Sequence, residues 1–259
     1  MSSAINAIKP ILAIQWKPNR DLAIVAVSWL LVTGTLYLSN VVIGAEVGGG
    51  LVYFALYAVL AATLFGVGIP LYWTVVIRKK PLEALGITKR RLGISVLVQL
   101  ALGALLYSTT LARSDLPPAS QLVPLITLSL AIGFFEAVFW RGWVQLRLEE
   151  AFGLIPSILL GSALYAAYHV GYGMPVSEIT SLFFIGILFA VVFRLTTNVF
   201  ILWPLFQPMG QLFTLINDGL ELPLISSLGF VEVLAVMFVL VWLAGRYGKK
   251  RKSRAEAHV

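Results

Sequence analysis

The sequence contains no cysteine, few charged residues and only two histidines. Cysteine is absent from all 259 residues, and Asp, Glu, Lys and Arg together make up 12% of them. The missing cysteine excludes disulfides, thiolate metal sites and a cysteine nucleophile, and it leaves the redox compartment undetermined. The low charge content, with 59% hydrophobic residues and a mean hydropathy of +0.91, excludes a water-soluble domain with a polar surface.

Long apolar runs, separated by charges, glycine and proline, predict an all-α polytopic membrane protein. A helix of about 20 apolar residues crosses the hydrocarbon core of a bilayer. On this criterion the chain has about eight spans, of which the fifth is short and the seventh is made irregular by Pro204 and Pro208. The predicted spans are 22–44, 51–77, 92–112, 122–144, 155–170, 178–197, 201–217 and 230–247.

Basic residues indicate the orientation of these spans, because Lys and Arg in short loops stay on the cytoplasmic side. If the N-terminus is cytoplasmic, eight spans place every basic residue except Arg113 on that side. We therefore predict a cytoplasmic N-terminal arm over 1–21, one transmembrane domain over 22–247 and a basic cytoplasmic tail over 248–259. Both termini then lie in the cytoplasm.

The basic tail, GRYGKKRKSR, predicts contact with a lipid bilayer that contains anionic lipids. Nucleic acid is not an expected partner, because no aromatic residue interrupts the charge run KKRKSR. The net charge of +7 therefore reports membrane topology.

Polar residues inside the spans are the candidates for function, since each costs on the order of 3 kcal/mol at the bilayer centre. Glu136 lies in the fourth span and His169 in the fifth. Gln207 and Gln211, four residues apart, share one helix face in the seventh. A carboxylate kept from bulk water can act as a general base, imidazole can orient the attacking water, and amides can donate to an oxyanion. This set predicts hydrolysis without a metal or other cofactor, because catalytic zinc normally takes three protein ligands.

Each of these residues also has a structural explanation. Glu136 as a protonated carboxyl could satisfy a neighbouring helix, and His169 could lie at the membrane interface. The two glutamines could join helices through hydrogen bonds. Most Tyr and Trp residues are expected in the core or at the membrane interface, where they need no catalytic explanation.

Three short motifs follow one another along the predicted spans: EAVFWR at 136–141, YAAYH at 165–169 and QPMGQ at 207–211. Their order and spacing resemble those of the CPBP or Abi intramembrane proteases, a family that includes CAAX prenyl endopeptidases and bacteriocin-processing proteins. That family carries Glu-Glu-x-x-x-Arg, Phe-x-x-x-His and His-x-x-x-Asn or Asp on separate helices. The resemblance extends over about 78–217 and is consistent with eight spans.

The resemblance implies a role for each motif. Glu136 would be the base that activates water, with His169 as its partner and Arg141 in the same catalytic set. The substrate would be a membrane-tethered peptide or protein, cleaved near the cytoplasmic face. The further candidates, which would bind the oxyanion or the substrate, are Gln207, Gln211, Asn198 and Tyr165.

Two positions depart from the family motifs. Ala137 replaces a glutamate that would lie one turn from Arg141 and could pair with it. Gln207 replaces a histidine, which leaves an N–H donor but no capacity for proton transfer.

Helix rise places Glu136 about 10 Å from the inner boundary and His169 about 20 Å from it. Contact between them therefore requires a later start of the fifth span, a tilt or a bend.

Three functions compete for this chain. The first is an intramembrane endopeptidase of a plasma or inner membrane, and the short arm and basic tail favour a prokaryotic one. The second is a catalytically inactive protein that binds a membrane peptide or partner in an immunity or regulatory role. The third, a small-solute transporter, fits the hydropathy but not the order of the motifs. Retention of both Glu136 and His169 favours the protease, because a binding protein has little need of a buried carboxylate.

Overall fold

The structure, a computed structural model, describes residues 13–42 and 50–256. Part of the predicted N-terminal arm, 1–12, the loop 43–49 and the end of the basic tail, 257–259, lie outside the described residues. Helices form most of the described chain, and no strand occurs within it. The prediction of an all-α fold is confirmed.

Seven helical segments of the described chain are long and apolar enough to cross a membrane, so this is a polytopic membrane protein. One shorter helix precedes the last of them. Some segments contain π-helical or 3₁₀ stretches that continue the helix. In chain order the segments are α1 Arg20–Val41, α2 Leu51–Ile77, α3 Leu92–Arg113, α4 Ala119–Phe152, α5 Leu154–Tyr172, α6 Val176–Thr196, α7 Phe206–Asn217 and α8 Ser226–Glu256.

The seventh predicted span contains only the short helix α7. Its 12 residues rise about 18 Å, against a hydrocarbon core of about 30 Å. A 3₁₀ turn, Val199–Ile201, and an irregular stretch that contains Pro204 precede it. Proline lacks the N–H that a continuous helix would use, so the irregularity expected from the sequence is present. The eight predicted spans therefore comprise seven full-length helices and one short one within the described residues.

The basic segments of several helices meet at one end of the bundle, which we call the charged end. The buried carboxylate of Asp21, at the start of α1, lies 3.2 Å from Arg78 and 3.8 Å from Arg147. It also accepts a 2.8 Å hydrogen bond from the indole of Trp73. Arg251 of α8 donates to two backbone oxygens at the end of α2 and just beyond it. The positive-inside rule predicts that this end faces the cytoplasm.

The described part of the N-terminal arm, 13–19, lies extended against the charged end. The backbone N–H of Gln15 donates to the carbonyl oxygen of Phe152 at 3.1 Å, and Lys17 donates in the same way to Ala151 at 2.9 Å. The rings of Trp16 and Phe152 pack with centroids 5.2 Å apart. These contacts attach the arm to the end of α4.

The helix α4 runs through the core, and its residues 133–145 are all buried. Two glycines allow neighbouring elements to approach it closely. A Cβ atom on Gly142 would lie 2.3 Å from the carbonyl oxygen of Leu85, and one on Gly133 would lie 2.7 Å from the ring of Pro208. Gly142 therefore admits the loop that follows α2, and Gly133 admits the start of α7.

Candidate active site

Glu136 lies near the middle of the bundle. Its side chain is buried at the point where the α-helical part of α4 passes into a π-helical stretch, Ala137–Gln145. Eleven residues, about 16 Å of helix rise, separate it from Arg147 at the charged end. The carboxylate therefore lies about three helical turns from the charged end.

Three side chains from two other helices donate hydrogen bonds to the Glu136 carboxylate. The phenol of Tyr168, at the end of α5, donates to Oε1. The amides of Gln207 and Gln211 in α7 donate from Nε2 to Oε2, at 2.6 and 2.9 Å. An ionised carboxylate can only accept hydrogen bonds, so three donors match a negative charge at this position.

The helix α4 is longer than the fourth predicted span. This extra length removes the difference in depth that the sequence indicated between Glu136 and the end of the fifth span. The helix continues through 145–152, so Glu136 lies about 24 Å from its end. The helix α5 begins at Leu154, not after Pro156, and Tyr168 lies about 21 Å from that start. The late start considered from the sequence is therefore wrong, and the two side chains meet because α4 extends further.

His169 lies beside this cluster. Within the described residues it forms no hydrogen bond with Glu136. Its Nδ1 is 2.9 Å from the carbonyl oxygen of Tyr165, one turn earlier in α5. Because a carbonyl only accepts, Nδ1 carries the proton and Nε2 of the neutral ring is an acceptor. The imidazole packs against the ring of Tyr168 with centroids 4.2 Å apart. Tyr168 therefore lies between the histidine and the carboxylate.

Arg141 is buried one π-helical turn from Glu136, within electrostatic reach of the carboxylate. Its guanidinium carbon lies 5.3 Å from the centre of the Tyr165 ring. Within the described residues, Nη1 and Nη2 have no hydrogen-bond partner. Ala137, where the family motif has a second glutamate, belongs instead to an apolar cluster with Phe193.

Asn198 lies at the charged end, where it holds a loop. Its Nδ2 donates to the carbonyl oxygens of Thr88 and Arg90, both at 3.0 Å, and its Oδ1 accepts from the N–H of Phe200 at 3.0 Å. Within the described part of the chain, Asn198 makes no contact with Glu136. These bonds assign Asn198 to loop packing rather than to oxyanion binding.

Tyr168 is the residue of this cluster to which the sequence analysis gave no role. The available signal was its place beside His169 in YAAYH, on the same helix face as Tyr165 and Tyr172. Tyr172 in turn donates to the phenol oxygen of Tyr57 at 3.2 Å. The cluster of phenols around the carboxylate thus continues to α2.

The cluster offers few ligands for a metal ion. Glu136 is its carboxylate, and its other polar groups are phenols, amides and one imidazole. In the described ranges no group of three or more His, Cys, Asp and Glu residues could hold a metal ion. The sequence-based expectation that no cofactor is required stays a prediction.

A comparison with protein families identifies the segment that carries the first two motifs. The family model described as "Type II CAAX prenyl endopeptidase Rce1-like" matches residues 118–206. This segment is Rce1-like. The match confirms the resemblance to the CPBP family and supports an intramembrane endopeptidase of the CAAX-protease type. No curated protein and no solved structure matches the chain.

The Rce1-like segment covers about a third of the chain and stops one residue before Gln207. It includes Glu136, Arg141 and His169. The short helix α7, which carries the two glutamines of the third motif, lies almost wholly outside it. The match therefore covers the carboxylate and the imidazole and leaves out the amides that differ from the family motif.

Proposed function

We propose that this protein is an intramembrane endopeptidase in which Glu136 activates water for attack on a peptide bond of a membrane-tethered substrate. The observation that carries this proposal is the convergence of three donors, from α5 and α7, on one buried carboxylate of α4. Several fixed donors hold a carboxylate in one orientation, which is what a general base requires. The Rce1-like match supports the same class of reaction.

In the proposed reaction, Glu136 takes a proton from water while the water oxygen attacks the carbonyl carbon of the substrate. His169 accepts a hydrogen bond at Nε2 from the same water. When the substrate carbonyl enters, Gln207 or Gln211 turns its N–H from Glu136 to the developing oxyanion. Glu136 then gives its proton to the leaving nitrogen as the C–N bond breaks. The carboxylate is thereby regenerated.

The cellular setting is part of this proposal. The charged end faces the cytoplasm, because it gathers basic side chains from several helices. The bilayer is a plasma or inner membrane with anionic lipids, and a prokaryotic membrane is favoured. The substrate enters between helices of the bundle and is cleaved near the cytoplasmic face, where Glu136 lies about 16 Å of helix rise from the charged end.

The test is cleavage of a library of membrane-tethered reporter peptides by the full chain in lipid vesicles, with products identified by mass spectrometry. Wild-type protein is expected to cut, whereas Glu136→Ala and His169→Ala are expected to leave the peptides intact at matched folding. Cleavage that persists in Glu136→Ala contradicts the proposed base.

Binding of a membrane peptide without hydrolysis is a second candidate function. It is favoured by one observation, namely that both amides of the third motif donate to Glu136 itself. The groups that would bind an oxyanion already have an acceptor. A peptide retained equally by wild type and Glu136→Gln, and cut by neither, would support binding in place of catalysis.

Gln207→His is expected to raise the cleavage rate by up to about 10²-fold, since a positioned proton-transferring group contributes about 10²–10⁴ in rate. Histidine restores a proton-transferring group at the position where the family motif has one. The rate constant kcat on a cleaved reporter measures the effect. Gln121→His, at the start of α4 and remote from Glu136, is the matched control. A rate unchanged by Gln207→His would show that the third motif does not limit the reaction.

Tyr168→Phe is expected to lower kcat by about 10- to 100-fold, because a hydrogen bond to a charged group contributes about 1.5–3 kcal/mol. The substitution keeps the ring and removes only the donor to Glu136. KM should stay unchanged, since this phenol touches the base. Tyr107→Phe, on the exposed side of α3, is the control. Equal kcat values for Tyr168→Phe and wild type would contradict a role in holding the carboxylate.

A further inference from the structure

A cavity lined by several basic residues opens at the charged end, remote from Glu136. Its volume is about 320 Å³, room for roughly ten water molecules at about 30 Å³ each. The loop before α3 and the end of α6 form its walls. Three arginines and three threonines line it: Arg90, Arg91, Arg194, Thr88, Thr196 and Thr197.

The lining of the cavity carries a net positive charge. Glu83 is its one carboxylate, against three guanidinium groups. The side chain of Arg90 takes part in no hydrogen bond or ion pair within the described part of the chain. Its N–H groups are therefore available to a bound anion.

The other two arginines are held in place and still have donors to spare. Arg91 donates to the carbonyl oxygen of Leu195 at 3.2 Å. Arg194 donates to Thr197 Oγ1 at 2.9 Å and pairs with Glu149 at 2.9 Å. A guanidinium group has five N–H donors, so these contacts leave others for a ligand.

Hydrogen bonds between the two walls fix the shape of the cavity. The buried side chain of Asn198 donates to both Thr88 and Arg90, which binds the end of α6 to the loop before α3. Ser95 donates to Thr196 Oγ1 at 2.9 Å. The N–H of Val199 donates to the loop at 3.0 Å. The cavity is thus built by ordered backbone on both sides.

Two residues of the lining have an unusual backbone conformation. Arg91 and Thr197 have φ of 55° and 54°, and they are two of the three non-glycine residues with positive φ in the described ranges. Non-glycine residues adopt this region at an energetic cost, and such residues occur preferentially at binding sites. Arg91 directly precedes α3 and Thr197 directly follows α6, so these two turns place both residues at the ends of the cavity walls.

We propose that this cavity binds the phosphate of an anionic lipid headgroup. Guanidinium groups bind phosphate through paired N–H donors, and threonine hydroxyls add further donors. The cavity lies where α3 begins, at Leu92, and where α6 ends, at Thr196. Two apolar helices leave the bilayer at that level, where lipid headgroups are concentrated. This site is independent of the proposed hydrolysis.

The test measures lipid binding to the full chain by native mass spectrometry, with phosphatidylglycerol compared with phosphatidylcholine of the same acyl chains. The triple variant Arg90→Gln/Arg91→Gln/Arg194→Gln is expected to bind phosphatidylglycerol about 10²-fold more weakly, since each basic group contributes several-fold. The control Arg113→Gln removes one exposed charge at the far end of α3 and is compared with the single variant Arg90→Gln. It is expected to bind within about threefold of wild type, because α3 separates Arg113 from the cavity by about 30 Å of helix rise and exposed charges more than a Debye length away are largely screened.

Three outcomes would overturn the proposal. The first is equal binding by the cavity variant and wild type, and the second is a loss in Arg113→Gln equal to that in Arg90→Gln. The third comes from a separate arm with inorganic phosphate in zwitterionic vesicles. If inorganic phosphate binds wild type but not the cavity variant, and phosphatidylglycerol does not compete with it, the cavity is a site for the free anion. If the triple variant unfolds, the single variant Arg90→Gln tests the proposal, and its affinity for phosphatidylglycerol is expected to fall about fivefold.

Discussion

Cleavage by the Glu136→Gln variant is expected to fall by about 10²–10⁴-fold, the usual contribution of a general base. Glutamine keeps the shape of the side chain and one oxygen that can accept from Tyr168. It cannot take a proton from water, and its amide nitrogen meets the donors of Gln207 and Gln211 instead of accepting from them. The initial rate of reporter cleavage in vesicles, at matched protein amount, measures the effect.

The control for this prediction is Glu178→Gln, the same change at an exposed position in α6. It is expected to cleave at the wild-type rate. Thermal unfolding of both variants in the same detergent shows whether each is folded. A Glu136→Gln protein that is folded and cleaves within a few-fold of wild type would contradict the proposed base. A fall in rate with KM unchanged would support it, because the side chain acts on water and not on substrate binding.

The Arg147→Ala variant is expected to lose about 3–5 kcal/mol of folding free energy, because removing one partner leaves buried charge uncompensated. Arg147 is buried and lies 3.8 Å from Asp21 and 3.1 Å from Glu150. It also donates to the carbonyl oxygen of Ala84 at 2.8 Å. It therefore connects α1, α4 and the loop after α2 at the charged end. Unfolding of the purified protein in mild detergent measures the loss.

The chain offers a matched control for this variant. Arg194 also pairs with a glutamate, Glu149, at 2.9 Å, but its side chain is 40% exposed. Exposed pairs contribute about 0–1 kcal/mol, so Arg194→Ala is expected to unfold nearly as wild type does. Equal stability of the Arg147 and Arg194 variants would show that the buried network does not hold the charged end together.

Much of the architecture was predictable, because hydropathy acts over local stretches of sequence. Seven of the eight predicted spans coincide with full-length helices to within a few residues at most ends. The eighth continues beyond 247 to Glu256, and the fourth continues beyond 144 to Phe152. Its last turns carry charged side chains that apolar counting excludes, yet they stay helical because Arg147 and Glu150 pair within them.

The sequence predicted which residues belong to the candidate site better than it predicted the contacts between them. Rarity of polar residues in the spans was enough to single out Glu136, Gln207 and Gln211, which the structure brings together. The same criterion overlooked Tyr168, because tyrosine is common in membrane helices and its hydroxyl has a role only if a partner is within reach. Asn198 was selected for its place near the third motif, but it faces the loop before α3.

The sequence by itself determined that this chain crosses a membrane many times and which end is basic. It also determined which polar residues have a free energy of transfer into lipid so unfavourable that a functional role is expected. These properties follow from the free energy of transferring each stretch into lipid, which depends mainly on local composition. Only the tertiary structure decided which atoms meet the Glu136 carboxylate and where the three arginines of the cavity converge. Those contacts depend on the lengths and relative depths of separate helices, and one additional turn moves a side chain by about 5 Å.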